Sequence, residues 1–327
     1  MRASGAKSSV KFAQEKVWKQ PIAPGDLGIV YGMNIRSINL GGNKNQFQSE
    51  TINQFRAVVG LGDGNVAVEG SIVTDFLPEG MEVLLRHLLG KSAVNTTGSG
   101  PYTHVLQGAA DTMQGLMIQK SFTNVNEHFV YRGCRINSMA INVIQEGFHD
   151  VTWDIIGTSE QIFDTDQFEG QTVIYPTKSG FTGYQAKVQT DISGSWVDLG
   201  NVISGNLNIT NNVETDGYVL GSSERAAAEH GTRECTGGWT MFFEDTELYS
   251  RYQSGVECGL RWVFDNGYES TTFEFPKVKL GGDSPAIESA AGVNLNLTFQ
   301  ARLDVDSGTD VKVTIVNSTT EIEEEPA

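Results

Sequence analysis

Cysteine is scarce in this sequence: Cys134, Cys235 and Cys258 are the three among 327 residues. An odd number without a C-x-x-C spacing excludes a disulfide-stapled secreted scaffold. Each lies in or beside an alternating apolar run and is expected to pack in a core. Proline is low at 8, which excludes rigid Pro-rich linkers. No apolar run approaches about 18 residues, so no membrane span is expected. The opening Met1-Arg2-Ala3-Ser4-Gly5-Ala6-Lys7 has no apolar signal core, so folding is expected in a reducing cytoplasm. Positive charge is short as well. Lys+Arg 23 against Asp+Glu 40 gives a net charge of -17, which repels a phosphate backbone and argues against gripping nucleic acid. Passage of DNA beside such a surface, without adhesion, is compatible with it.

Signatures of chemistry are missing too. His87, His104, His128, His149 and His230 form no H-x-x-x-H or H-E-x-x-H. Gly60-Leu61-Gly62-Asp63-Gly64 lacks the G-K-[ST] of a phosphate loop and reads as a hairpin turn. Asp304-Val305-Asp306-Ser307-Gly308-Thr309-Asp310 lacks the closing Glu of a calcium loop and reads as a turn between strands. Ser71, Ser121 and Ser138 have no G-x-S-x-G context. No catalytic residue, metal site or cofactor is therefore expected, and the chain reads as a non-enzyme.

What is present is alternation. With 37 glycines and 39% hydrophobic residues, the chain is globular and rich in turns, and its length suits two domains. Val66, Val68 and Ile72 alternate with polar neighbours, as do Met139, Ile141 and Val143, and then Val151, Trp153 and Ile155. Trp153, Trp196 and Trp239 read as core. One helix stands out: after Pro78, residues Met81, Leu84, Leu85, Leu88 and Leu89 form a single apolar stripe, with Gly90 to end it. His87 falls at its surface or boundary.

The order of elements then repeats. Ile38-Asn39-Leu40 matches Leu207-Asn208-Ile209, and a polar stretch follows in both places, residues 43–64 and 211–234. Gly70-Ser71-Ile72-Val73-Thr74-Asp75-Phe76 matches Gly237-Gly238-Trp239-Thr240-Met241-Phe242-Phe243. A short helix follows each, the second running Asp245 to Tyr252 with Asp245 as its N-cap and Gly255 at its end. Phe129 to Ile136 lines up with Phe273 to Leu280, and Val151/Trp153/Ile155 with Val293/Leu295/Leu297/Phe299. The expected fold is mainly β: two tandem β-sandwich or barrel modules, each with one short flanking α-helix. The division is an N-terminal arm 1–26, a first module 27–160, a junction with an extra hairpin 161–200, a second module 201–318 and an acidic tail 319–327.

With this order laid out, the chain resembles the major tail tube protein family of long-tailed phages with non-contractile tails, in a version with a duplicated tube domain. The carriers are Gly64 to Ser71 before the helix ending Leu88-Leu89-Gly90, Tyr131 to Ser138, Gly238 to Tyr249, and Phe275-Pro276-Lys277-Val278-Lys279-Leu280-Gly281-Gly282. The resemblance implies subunits that self-assemble into rings and a stacked hollow tube, located in the virion tail and assembled in the bacterial host cytoplasm. It implies tail terminator, tape-measure and distal tail proteins as partners, transient passage of double-stranded DNA, and no membrane. Duplication implies three chains per pseudo-six-fold ring. On that reading Glu69, Asp75, Asp154 and Glu274 are candidates to face the lumen. Phe47, Phe55, Val58, Tyr218 and Leu220, in the loops 43–62 and 211–233, are candidates for ring-to-ring contact. The competing reading is another virion or surface β protein: a fibre, an adhesin or a carbohydrate-binding module.

Overall fold

The computed structural model describes residues 2–20, 28–52, 54, 57–95, 101–108, 113–192, 194–287 and 292–319. Period-two patterning builds nearly all of it. β1 (Ser8–Gln14) pairs antiparallel with both β2 (Val30–Met33) and β8 (Leu116–Phe122) and buries Val10, Phe12 and Ala13. The segment expected as an arm thus contains a core strand. From β2 the chain runs through β3 (Ile35–Ile38) and β4 (Gly41–Gln48), which follow one another along β5 (Leu61–Asp75). The glycines from Gly60 expected to form a turn therefore lead into and begin this strand. After α1 (Met81–Leu89) comes a hairpin of β6 (Lys91–Asn95) and β7 (Tyr102–Gln107). β9 (Glu127–Val143) serves two layers. Its first part pairs with β8 and β11 (Ser159–Phe163), and its second part with β10 (Asp150–Gly157), which also pairs with β5. β12 (Val173–Ile174) adds in parallel to β2.

The second half opens with the hairpin β13 (Ala186–Ile192) and β14 (Ser195–Asp198), and β13 pairs with β17 (Cys258–Asp265). The hairpin expected in the junction thus belongs, by its pairing, to the second half. β15 (Val202–Thr210) pairs with β16 (Glu234–Phe242), and β16 with β19 (Asn294–Ala301), while α2 (Glu247–Ser254) follows β16. β18 (Ser270–Gly282) pairs first with β17 and β20 (Lys312–Asn317), then with β19. The β6–β7 hairpin of the first half completes that layer beside β20.

One pairing scheme therefore occurs twice. Each pairing among β1, β2, β3, β5, β8, β9, β10 and β11 has its counterpart among β13, β14, β15, β16, β17, β18, β19 and β20. Registers recur as well. Ile72 stands opposite Trp153 and Ile38, and Trp239 opposite Leu297 and Gly205. Irregularities fall at matching places: between Ile35 and Ser37 and between Val202 and Ser204, and again at Leu116/Ile118 and Cys258/Leu260. The register makes Gly205-Asn206-Leu207 the counterpart of Ile38-Asn39-Leu40, two residues earlier than the sequence match. An alternating pattern is unchanged by a shift of two, so sequence alone could not choose between them.

The halves are joined by pairing of β9 with β15, from Gly205 opposite Val143 to Thr210 opposite Ser138. One central sheet results, in the order β3–β4, β5, β10, β9, β15, β16, β19, β18. Its inner face is apolar and runs from Val68, Ile72 and Trp153 through Ile141, Leu207 and Trp239 to Leu297 and Phe299, all buried in one core. α1 lies against β9 and α2 against β18. Leu84, Leu85, Leu88 and Leu89 are all buried, and Gly90 at φ 88 ends α1. Burying leucines of this kind is worth about 1.5–3 kcal/mol each, far more than nine residues of helix propensity supply. His87, expected at the helix surface, is also buried, and burial pushes its pKa down to about 4. In α2 the N-cap is Thr246, and Asp245 instead accepts the Glu247 N–H at 2.9 Å. Trp153 and Trp239 are core, whereas Trp196 is half-buried with the Arg261 guanidinium 3.9 Å above its ring.

Candidate functional site

The outer face of the central sheet runs unbroken across both halves. Residues directly opposite across antiparallel strands share a face, so the registers define rows across it. One row is Val73, Thr152, Ala140, Asn208, Thr236, Gln300 and Lys279, and the next is Asp75, Asp150, Asn142, Asn206, Gly238, Thr298 and Gly281. A third is Ser71, Asp154, Ser138, Thr210 and Glu234. Besides Val73, Ala140, Lys279 and the acids, these are amides, hydroxyls and glycines. None is a large aromatic platform, and the acids concentrate on β5 and β10. Glu69 is exposed there, and exposed Asp154 accepts the Ser138 hydroxyl at 2.7 Å. Asp75 sits at the end of the face, held by Arg36 Nε at 2.5 Å, and Arg36 reaches Asp150 at 3.6 Å.

Glu274 is elsewhere. It lies in the first part of β18, opposite Arg261 and Lys312, and accepts two guanidinium hydrogen bonds from Arg261. It therefore lies off this face: alternation identifies its side of the strand but not its layer.

The sheet has two edges with unequal finishing. Asn39 sends its N–H to the Ser71 carbonyl on β5 at 3.0 Å, so the backbone groups of Leu40 and Gly42 point away from β5. Side chains meet them. The Leu40 carbonyl accepts from Lys120 Nζ at 2.7 Å and from the Tyr131 hydroxyl at 3.0 Å, and the Gly42 N–H donates to Glu160 at 2.5 Å. Burial lowers the Lys120 pKa and raises that of Tyr131. At the other edge, residues Asp283 to Ile287 leave β19 after Gly282 and form no strand.

The two long loops differ. Around the β4–β5 hairpin, Phe47 is 62% exposed, Ile52 98%, Val58 53% and Leu61 75%. Phe55 lies outside the described residues. The loop 211–233 instead folds back over the first half. Arg225, 1% exposed, donates to the carbonyls of Gly157 at 2.5 Å, Thr215 at 3.0 Å and Val68 at 3.4 Å. Tyr218, beneath that guanidinium, donates its hydroxyl to the Val66 carbonyl at 3.1 Å and so faces inward, while Leu220 is fully exposed. Asn211 donates to the carbonyl of Leu88 at the end of α1 and to that of Ile136 on β9. Arg225 and Asn211 had no signal in sequence, since each acts only through distant backbone.

The family model described as "Phage tail tube protein" matches residues 5–301. The chain belongs to the phage tail tube protein family. No curated protein matches the chain. Among solved structures, a chain of "Virion of native gene transfer agent (GTA) particle" is 12% identical with a TM-score of 0.29, covering 37% of this chain and 93% of that one. A chain of "Tail of empty GTA particle computed with helical refinement, C6 symmetry" is 14% identical with a TM-score of 0.28, again covering 37% and 93%.

As a tail tube protein the chain is a structural subunit of a virion tail that self-assembles into a tube, and its polar groups read accordingly. Ser121 and His128 are hydrogen-bonded at 2.9 Å, both buried beside Gln119. Among the described residues no group of His, Cys, Asp and Glu could hold a metal ion. A pocket beside α1, between Tyr31, Leu77 and Met81, measures about 50 Å³. The three cysteines are free and buried. No described helix is long and apolar enough to cross a membrane.

Proposed function

We propose that the two halves are duplicated tube modules and that three chains close a pseudo-six-fold ring whose stacked copies conduct double-stranded DNA. The observation that carries this reading is the twice-used pairing scheme, joined into one sheet by β9 and β15. Each half supplies four strands to that sheet, and three chains supply twenty-four. At about 4.8 Å per strand the circumference is about 115 Å before tilt, giving a bore of about 37 Å between backbones. Short side chains such as Asn, Thr, Ser and Gly leave most of that width open to a duplex.

The outer face of the sheet is then the lumen. Its neutral amides and hydroxyls give phosphates no array of cations, so no counterions are released and no adhesion is gained. Glu69 and Asp154 on the first module and Glu234 on the second add repulsion, Asp75 is neutralised by Arg36, and the second module also presents Lys279. The lumen is thus sparsely acidic, with its negative charge repeating three times per turn. Phe47 and Val58 on the projecting hairpin, with Leu220, are the ring-to-ring contacts. Terminator, tape-measure and distal tail proteins would meet the two ends of the tube, and assembly would occur in the host cytoplasm.

Electron microscopy of the purified chain across a concentration series tests this. Rings or tubes whose averages repeat three times are expected. A chain that stays monomeric throughout, or rings of six chains, would refute the trimeric ring.

A further inference from the structure

The joint inside the chain is a template for the joint between chains. β15 is the counterpart of β3–β4, and β9 the counterpart of β18. Gly205 and Ile38 occupy the same register against Trp239 and Ile72, and Asn208 and Gly41 the same register against Thr236 and Glu69. Across β10 and β19, Met139 opposite Trp153 matches Gly282 opposite Leu297. Within the chain, β9 covers the edge of β15. Nothing of the same kind covers the edge of β3–β4, and residues 283–287, which continue β18 where β9 would run on to Val143, lie without a strand partner among the described residues.

A second, independent observation marks the β3–β4 edge as a site. The side chains that reach its backbone are polar: Lys120, Tyr131 and Glu160. By register, the counterparts of Lys120 and Tyr131 in the second half are Trp262 and Phe275; the Trp262 indole N–H meets no acceptor among the described residues, Phe275 has no donor, and β15 is already paired. Polar residues stand beneath the open edge and apolar ones beneath the covered edge. This is how an edge is kept from indiscriminate pairing.

Resting on the ring reading above, we propose that residues 281–286 of one chain add to the β3–β4 edge of a second copy in the register of β9 on β15. Asn43 then faces Gly281, Gly41 faces Asp283, Leu40 faces Ser284 and Ile38 faces Ala286. The Ser284 N–H takes over the Leu40 carbonyl from Lys120 and Tyr131, as Ile141 takes that of Leu207. Pro285 fits, because its counterpart Asn142 stands opposite Asn206 at a position where the N–H points away from the partner strand. The 283–287 segment becomes a strand on assembly.

The test uses two chains that each carry one added, exposed cysteine, Gly41→Cys and Asp283→Cys, mixed and allowed to assemble; the native Cys134, Cys235 and Cys258 are buried. A side chain at Gly41 meets nothing closer than the Asn39 carbonyl at 3.9 Å, and Asp283 is exposed. A non-hydrogen-bonded antiparallel pair brings Cα atoms to about 4.5 Å, within disulfide reach. The expected result on mild oxidation is a linked dimer dominating the non-reducing gel. Gly41→Cys mixed with Ile287→Cys, displaced by about 13 Å along the strand, stays monomeric. Assembled particles that show no 41–283 link, or that link 41 to 287 as readily, overturn the register and leave the ring standing. Absence of any assembly by the unaltered chain overturns both.

Discussion

Replacing Arg225 should release the 211–233 loop from the first half without unfolding either half. Its guanidinium is 1% exposed and serves three carbonyls: Gly157 and Val68 on the first half, and Thr215 within the loop. A hydrogen bond from a charged donor contributes about 1.5–3 kcal/mol, and a buried carbonyl left alone costs about 1–3 kcal/mol. The Val68 contact is long at 3.4 Å and counts for little. Arg225→Met should therefore cost about 3–5 kcal/mol, drawn from a total that for proteins is about 5–15 kcal/mol. Arg225→Lys keeps the charge but not the fork and should recover only part of the loss. Hydrogen exchange resolved by peptide is the assay. Protection should fall over 211–233 and over residues 66–68, and stay unchanged over β17 and β18. Unchanged protection of the loop, with a denaturation shift under about 1 kcal/mol, would show that Arg225 is not the clamp.

Leu85→Asp places a charge in the core beneath α1, where Leu85 is 0% exposed, and should abolish soluble expression or lower the melting temperature severely. Glu15 gives a pH dependence. Burial raises its pKa from 4.5 to about 7, against the lowering effect of N–H groups from Gly133 and Lys19. A carboxyl raised in the folded state stabilises below pH 4.5 and loses that contribution as pH climbs to 7. The loss approaches about 3 kcal/mol by linkage. Thermal melts should fall less with rising pH in Glu15→Gln than in the unaltered chain; buried Glu82 acts in the same sense as Glu15, and His87, lowered to about 4, in the opposite sense. Phe47→Asp with Val58→Asp alters exposed residues only, so circular dichroism and melting should be unchanged while tubes give way to single rings in micrographs.

Patterning carried the helix and most strands but not their layers. The leucine stripe of α1 and the alternation of β5, β9, β10 and β19 are local signals and were legible. β1 was not read as a strand, because Phe12 to Trp18 shows weak helical spacing that masks the alternation of Val10 and Phe12. The offset between β3 and β15 escaped notice because their irregularities, at Ile35/Ser37 and Val202/Ser204, are invisible without the partner strand. Of the residues named as lumen candidates, Glu69 and Asp154 lie on the outer face of the central sheet, while Glu274 lies in another layer, bonded to Arg261. Trp196 looked like core from its strand and proved to be a platform for Arg261. Arg225, Asn211 and Lys120 were beyond reach, since each reaches a carbonyl 60 or more residues away.

Carrying β9 and β15 on one polypeptide also sets the order in which such an assembly is made and broken. The linked contact forms at a local concentration that free molecules do not reach, so it closes during folding and is indifferent to dilution. The unlinked contact waits for encounter and answers to concentration. Under pull or thinning, a cylinder of such units should separate at every second seam, releasing whole polypeptides instead of half-folded pieces.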